Sequence, residues 1–119
     1  MNWYLTKLVF RIICGDGGHK PQFDEQLRLI SAEDNLHAFQ KARGIGEREQ
    51  DIFMNNINKP VNWKFVDVSE IHRLDDLIDG AEMYSKICEQ EDADIYIRHV
   101  RLKAKQLFEE SLNKSFQQN

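Results

Sequence analysis

Residues 3–14, WYLTKLVFRIIC, alternate with a period of two: Tyr4, Leu8, Phe10, Ile12 and Cys14 fall in one register, Lys7 and Arg11 in the other. That alternation predicts a strand with one face turned inward. Residues 23–30, FDEQLRLI, alternate again, with Phe23, Glu25, Leu27 and Leu29 in the apolar register and Asp24, Gln26 and Arg28 opposite, and predict a second strand. Between them GDGGHKP supplies glycines for positive φ and a proline that cannot donate to a ladder, so a hairpin joins the two. Ser31 then offers a capping hydroxyl with Asp34 in the capping-box position, and Ala32, Leu36, Phe39, Ala42 and Ile45 follow at helical spacing until Gly44 and Gly46 end the helix. DIFMN and VNWKFVDV read as two further strands joined by a hairpin loop over NINKP, with Val61, Trp63 and Phe65 sharing a face.

Past a polar bend holding Asp75, Asp76, Asp79 and Gly80, the run AEMYSKICE predicts a fifth strand, although both of its faces are mixed. From Asp92 to Gln117 there is no glycine or proline. Ala93, Tyr96, Ile97, Val100, Ala104, Leu107 and Phe108 project into one arc of a long amphipathic helix, with Asp92 and Asp94 at its positive end and Lys114 at its negative end. Ile95 and Leu102 project from the opposite side of that helix and mark a second contact surface. The order β-β-α-β-β-β-α predicts an α+β fold, an antiparallel or mixed sheet of five strands covered by helices.

Three blocks, WYLTKLVFRI, FDEQLRLISAEDNLHAFQKARGIGE and VNWKFVDVSEIHRLDDLIDGAEMYSKI, together resemble a family of small bacterial proteins known only as a domain of unknown function. The resemblance covers residues 2–89 and leaves the helix at 92–117 outside. It implies a small bacterial domain and brings no catalytic residue with it.

Composition narrows the partners. At 119 residues the chain suits one domain with a real core, and 41% hydrophobic with 30% charged residues is the balance of a globular protein. A formal charge of -4 works against general affinity for nucleic acid or an anionic membrane. MNWYLTKL lacks the clean apolar stretch of a secretory leader, and no apolar run approaches the ~20 residues of a membrane span, so a cytoplasmic protein is expected. Cys14 and Cys88, far apart in sequence, are expected to be reduced core thiols.

CGDGGHK, residues 14–20, gathers Cys14, Asp16, His19 and Lys20. A phosphate loop needs a lysine followed by Ser or Thr and then a helix, and zinc needs close ligand pairs; neither pattern is present, so the stretch reads as a turn with His19 in solvent. LDDLIDGAE fails the calcium-loop spacing, because Leu77 and Lys86 fall where ligands belong, and reads as a turn in which glycine permits a left-handed backbone. Glu25, set between Phe23 and Leu27, is the acidic position of most interest, a carboxylate that is either at the sheet edge, paired across strands, or buried. His19, His37, His72 and His99 lie on different elements and form no triad at the level of sequence.

The favoured reading is a non-catalytic interaction or regulatory domain that works as a homo-oligomer through a sheet face or the last helix, with Ile95 and Leu102 as interface candidates. A second reading is a small ligand-binding domain or enzyme whose pocket, between sheet and helices, is built around Glu25, Trp63 and His72. A third is nucleic-acid binding through Arg98, Arg101 and Lys105 on one flank of the last helix. No metal or other cofactor is predicted.

Overall fold

The computed structural model describes residues 1–54 and 59–117. The elements are β1 (Asn2–Cys14), β2 (Gln22–Ala32), α1 (Asn35–Arg48), β3 (Asp51–Met54), β4 (Pro60–Leu74) and α2 (Ala93–Gln117). They fall into two compact units, Met1–Ser85 and Lys86–Asn119.

In the first unit the strands form one antiparallel sheet in the order β2-β1-β4-β3. The fold is α+β, and the described residues form four strands and two helices rather than five strands in a seven-element order. AEMYSKICE forms no strand. Neither of its alternating faces is uniformly apolar, so pairing there would bury charge on whichever side met the core. The NINKP loop falls largely on residues outside those described. LDDLIDGAE is the expected turn, with Gly80 at φ +84° and the amide of Ala81 donating to Ile78 O at 3.0 Å.

β1 is the central scaffold because both of its edges are paired. Tyr4, Thr6, Leu8 and Phe10 all turn to one face and are almost wholly buried. Thr6, the one buried polar residue among those described, donates its hydroxyl to Arg28 O at 3.1 Å, which removes the cost of burying it. Along β4 the register with β1 shifts twice, between Lys7 and Leu8 and between Val9 and Phe10, so Val66 and Ser69 have no partner in β1.

α1 lies on this face. It starts three residues later than the Ser31 cap implies. β2 stays paired with β1 as far as Asn2↔Ala32, and Asp34 becomes the N-cap, accepting from the amide of His37 at 2.8 Å while His37 Nδ1 accepts from the amide of Glu33 at 3.0 Å. The helix also runs through both glycines. Its inward stripe is Ala38, Ala42 and Gly46, small residues four apart, rather than the larger Leu36, which is exposed. The small stripe brings the helix axis close to the sheet, close enough that a Cβ on Gly46 would overlap the ring of Phe65. Ile45, Trp63, Phe65, Val68 and Ile71 close the core around Tyr4, Leu8, Phe10, Ile30 and Ala32.

In the second unit α2 is capped by Asp92, whose carboxylate accepts from the amide of Ile95 at 3.0 Å. None of its residues is buried, Ile95 and Leu102 included. No helix among the described residues is long and apolar enough to cross a membrane.

Candidate functional site

The face of the sheet turned away from α1 holds the features of functional interest. The pairing register of β1 with β2 and β4 sets its membership: Leu5 lies between Leu29 and His72, Lys7 between Leu27 and Glu70, and Arg11 between Phe23 and Lys64. The orientation of β2 is therefore the reverse of the one its apolar register suggests. Leu8 pairs with Gln26 and Phe10 with Asp24, which turns Asp24, Gln26 and Arg28 toward the helix side. Phe23, Leu27 and Leu29 stand on the other face, 54%, 53% and 48% exposed.

Near the middle of this face Lys7 Nζ meets Glu70 Oε2 at 2.7 Å. Tyr84, from the segment after β4, donates its hydroxyl to Glu70 Oε1 at 3.3 Å and packs edge-on against the His72 ring, centroids 5.3 Å apart. His72 Nε2 is 3.5 Å from Glu70 Oε1, too far for a hydrogen bond, and is a buried nitrogen without a hydrogen-bond partner among the described residues. Glu25 faces the same side and adds its attraction to Lys7. The hydrogen bond from Lys7 holds the Glu70 carboxyl below its ordinary value of 4.5, and the same bond raises Lys7 above 10.5. The cluster turns its bonds on itself, a polar island between Leu27, Leu29 and exposed Trp3.

The sign of the pH dependence follows. A carboxyl lowered in the folded state adds stability that is complete above its unfolded pKa and disappears as pH falls through the folded one. Asp67 acts in the same sense, lowered from 3.8 chiefly by the paired hydrogen bonds of Arg43 at 2.9 Å. The domain is therefore expected to lose stability as pH drops below about 4.5, and Glu70→Gln to flatten that loss while leaving the Asp67 part in place. Thermal unfolding measured across acidic pH checks this, and identical slopes for the two proteins would remove Glu70 as a contributor.

The residues singled out by sequence divide between the faces. Glu25 and His72 are on the Lys7 face, opposite Val9 and Leu5, whereas Trp63 packs against the core beneath α1, so the three do not meet in one pocket. Arg98, Arg101 and Lys105 are exposed on α2. CGDGGHK is a turn, with Gly15 at φ +60° and Gly17 at φ +81°. His19, however, is half-buried rather than in solvent: its Nε2 accepts from the amide of Cys14 at 3.0 Å and its Nδ1 bonds Lys20 O at 2.7 Å, which stitches the loop shut. Cys14 and Cys88 are both free, and Cys88 is exposed instead of in a core, because the segment that carries it forms no strand. No group of three or more His, Cys, Asp or Glu among the described residues could hold a metal ion. Lys7 is legible from the sequence only as a polar-face residue of the first strand, and neither Glu70 nor Tyr84 carries a sequence signal of its own.

The fold and this face define a small α+β domain in which one helix covers a four-stranded antiparallel sheet and the other sheet face carries an exposed apolar stripe around a self-contained polar cluster. Residues 3–85 match the model of the family described as a domain of unknown function (DUF4288), and the chain belongs to that family. No curated protein and no solved structure matches the chain. The match ends where the first compact unit ends, at Ser85, which leaves α2 outside the family region.

Proposed function

We propose that this protein is a non-catalytic interaction domain that works as a homo-oligomer. The observation that carries the reading is the set of Phe23, Leu27 and Leu29, three large apolar side chains about half exposed on one face of one strand, with Glu25 between the first two. Exposed apolar side chains grouped in this way are the usual mark of a contact surface. Exposed Ile95 and Leu102 on α2 offer a second such surface. Light scattering on purified full-length protein at micromolar concentration is expected to give a mass of at least twice the 14.1 kDa of one chain. A strict monomer, unchanged between the wild type and Leu102→Lys, overturns the reading.

A further inference from the structure

We infer that β2 pairs antiparallel with β2 of a second copy about a two-fold axis at Gln26, joining two four-stranded sheets into one continuous sheet. The inference rests on the homo-oligomer reading and says where and in what register the copies meet.

β2 is the outermost strand, and among the described residues it pairs only with β1. Its outer edge is a row of backbone donors and acceptors ready to template another strand. Proteins blunt such edges with short strands, charged side chains, proline or bulges. β2 has no lysine, proline or bulge, and of its three charges, Asp24, Glu25 and Arg28, the first and last are opposite in sign and complement each other between copies. It is 11 residues long, QFDEQLRLISA contains no Lys, Pro or Gly, and its register with β1 runs without a shift. Among the described residues only its C-terminal end is engaged from the side, where Lys41 Nζ donates to Ser31 O at 2.9 Å, so Gln22–Ile30 is the stretch open to pairing.

Symmetry limits the registers. A two-fold axis perpendicular to the sheet keeps the helix-covered faces of both copies on one side, so each residue must lie opposite a residue of the same face, and only axes centred on a residue qualify. An axis at Glu25 sets Glu25 against the partner's Glu25. An axis at Leu27 sets Asp24 against the partner's Ile30 and Glu25 against the partner's Leu29. The axis at Gln26 also sets Glu25 against the partner's Leu27, yet it alone of the three brings opposite charges together, Asp24 against the partner's Arg28 twice, with Phe23 against the partner's Leu29 and Gln26 against the partner's Gln26. Opposite charges and aromatic–aliphatic pairs directly across strands are the favourable combinations, and like charges the unfavourable ones.

The polar row is already arranged for this. Gln26 donates to Asp24, Arg28 donates to Gln26 Oε1 at 2.7 Å, and Glu49, the C-cap residue of α1, steadies the same guanidinium. Little side-chain freedom is left to lose on pairing. On the other face Phe23 lies beside the partner's Leu29 at each end of the seam, with Glu25 beside the partner's Leu27 between them.

Charge reversal supplies the test. Asp24→Arg and Arg28→Asp each set like charges opposite one another twice, and each is expected to weaken self-association by about tenfold or more. An equimolar mixture of the two variants places Arg against Asp at both positions and is expected to associate with wild-type strength, as is the double variant Asp24→Arg/Arg28→Asp. Sedimentation equilibrium on the full chain reads all four. Single variants that associate like the wild type, or a mixture no tighter than its components, overturn the inference. If Leu102→Lys dissociates the protein while the charge variants do not, the copies meet through α2: the oligomer stands and the β2 contact falls. A monomeric wild type removes both. Should Arg28→Asp fail to fold, amide exchange on the wild type decides: protection across Gln22–Ile30 must rise with protein concentration, and protection independent of concentration overturns the pairing.

Discussion

Replacing Gly46 with alanine is expected to destabilise the domain by about 2 kcal/mol, although the same change on an exposed helix surface would stabilise it by up to about 1 kcal/mol. The sign is decided by one contact. An added Cβ would overlap the Phe65 ring, which is backed on one side by Phe10, centroids 5.4 Å apart and planes tilted by 56°, and so could clear the Cβ only by leaving that contact. Either the helix lifts from the sheet, opening gaps along Ala38 and Ala42, or Phe65 leaves its rotamer. Both cost more than the gain in helix propensity. Thermal unfolding should show a fall of roughly 8–16 °C. An unchanged or higher melting temperature would mean that the small-residue stripe does not set the helix–sheet distance.

Phe10→Ala is expected to cost more, about 4 kcal/mol. Phe10 is 1% exposed on the central strand, among the largest side chains buried so completely, and its removal leaves a cavity walled by Phe65 and the helix. A domain of this size has a total stability of roughly 5–15 kcal/mol, so the variant approaches the point where a measurable fraction is unfolded without denaturant. Urea unfolding should show a lower midpoint at unchanged slope, which separates lost stability from a changed denatured state. The two substitutions share Phe65 and so are coupled. In the Phe10→Ala background the ring gains room to move, and Gly46→Ala should then cost less than it does alone. Strict additivity would contradict the packing described here.

Period-two patterning made β1 and the existence of β2, β3 and β4 legible, because a half-buried strand must alternate. Which way β2 faces was not legible. Phe23, Leu27 and Leu29 form a better apolar row than Asp24, Gln26 and Arg28, yet orientation is decided by the hairpin register, which puts Gln22 opposite Ile12 and holds the row outward. The start of α1 is not legible because Ser31 and Asp34 are both good caps, and strand pairing up to Ala32 consumes the first. Gly44 and Gly46 read as a stop, but Gly46 is a contact residue, and no local pattern distinguishes a glycine that ends a helix from one that admits a ring. Of the polar cluster, Glu25 was legible as an oddity in its strand and His72 as a candidate. Lys7, Glu70 and Tyr84 come together only through the β1–β4 register and the path of the chain after Leu74.

The two register shifts in β4 have a counting consequence. Each skipped residue inverts which side of the sheet the following side chains occupy, and the second inversion cancels the first, so Ile71 on one side of the pair and Trp63 and Phe65 on the other point the same way. The interval from Val66 to Ser69 thus holds two spare residues. Losing Ser69 or Val66 straightens one bulge and leaves Glu70, Phe65 and Trp63 opposite the same residues of β1, so the strand shortens there without turning a side chain through the sheet.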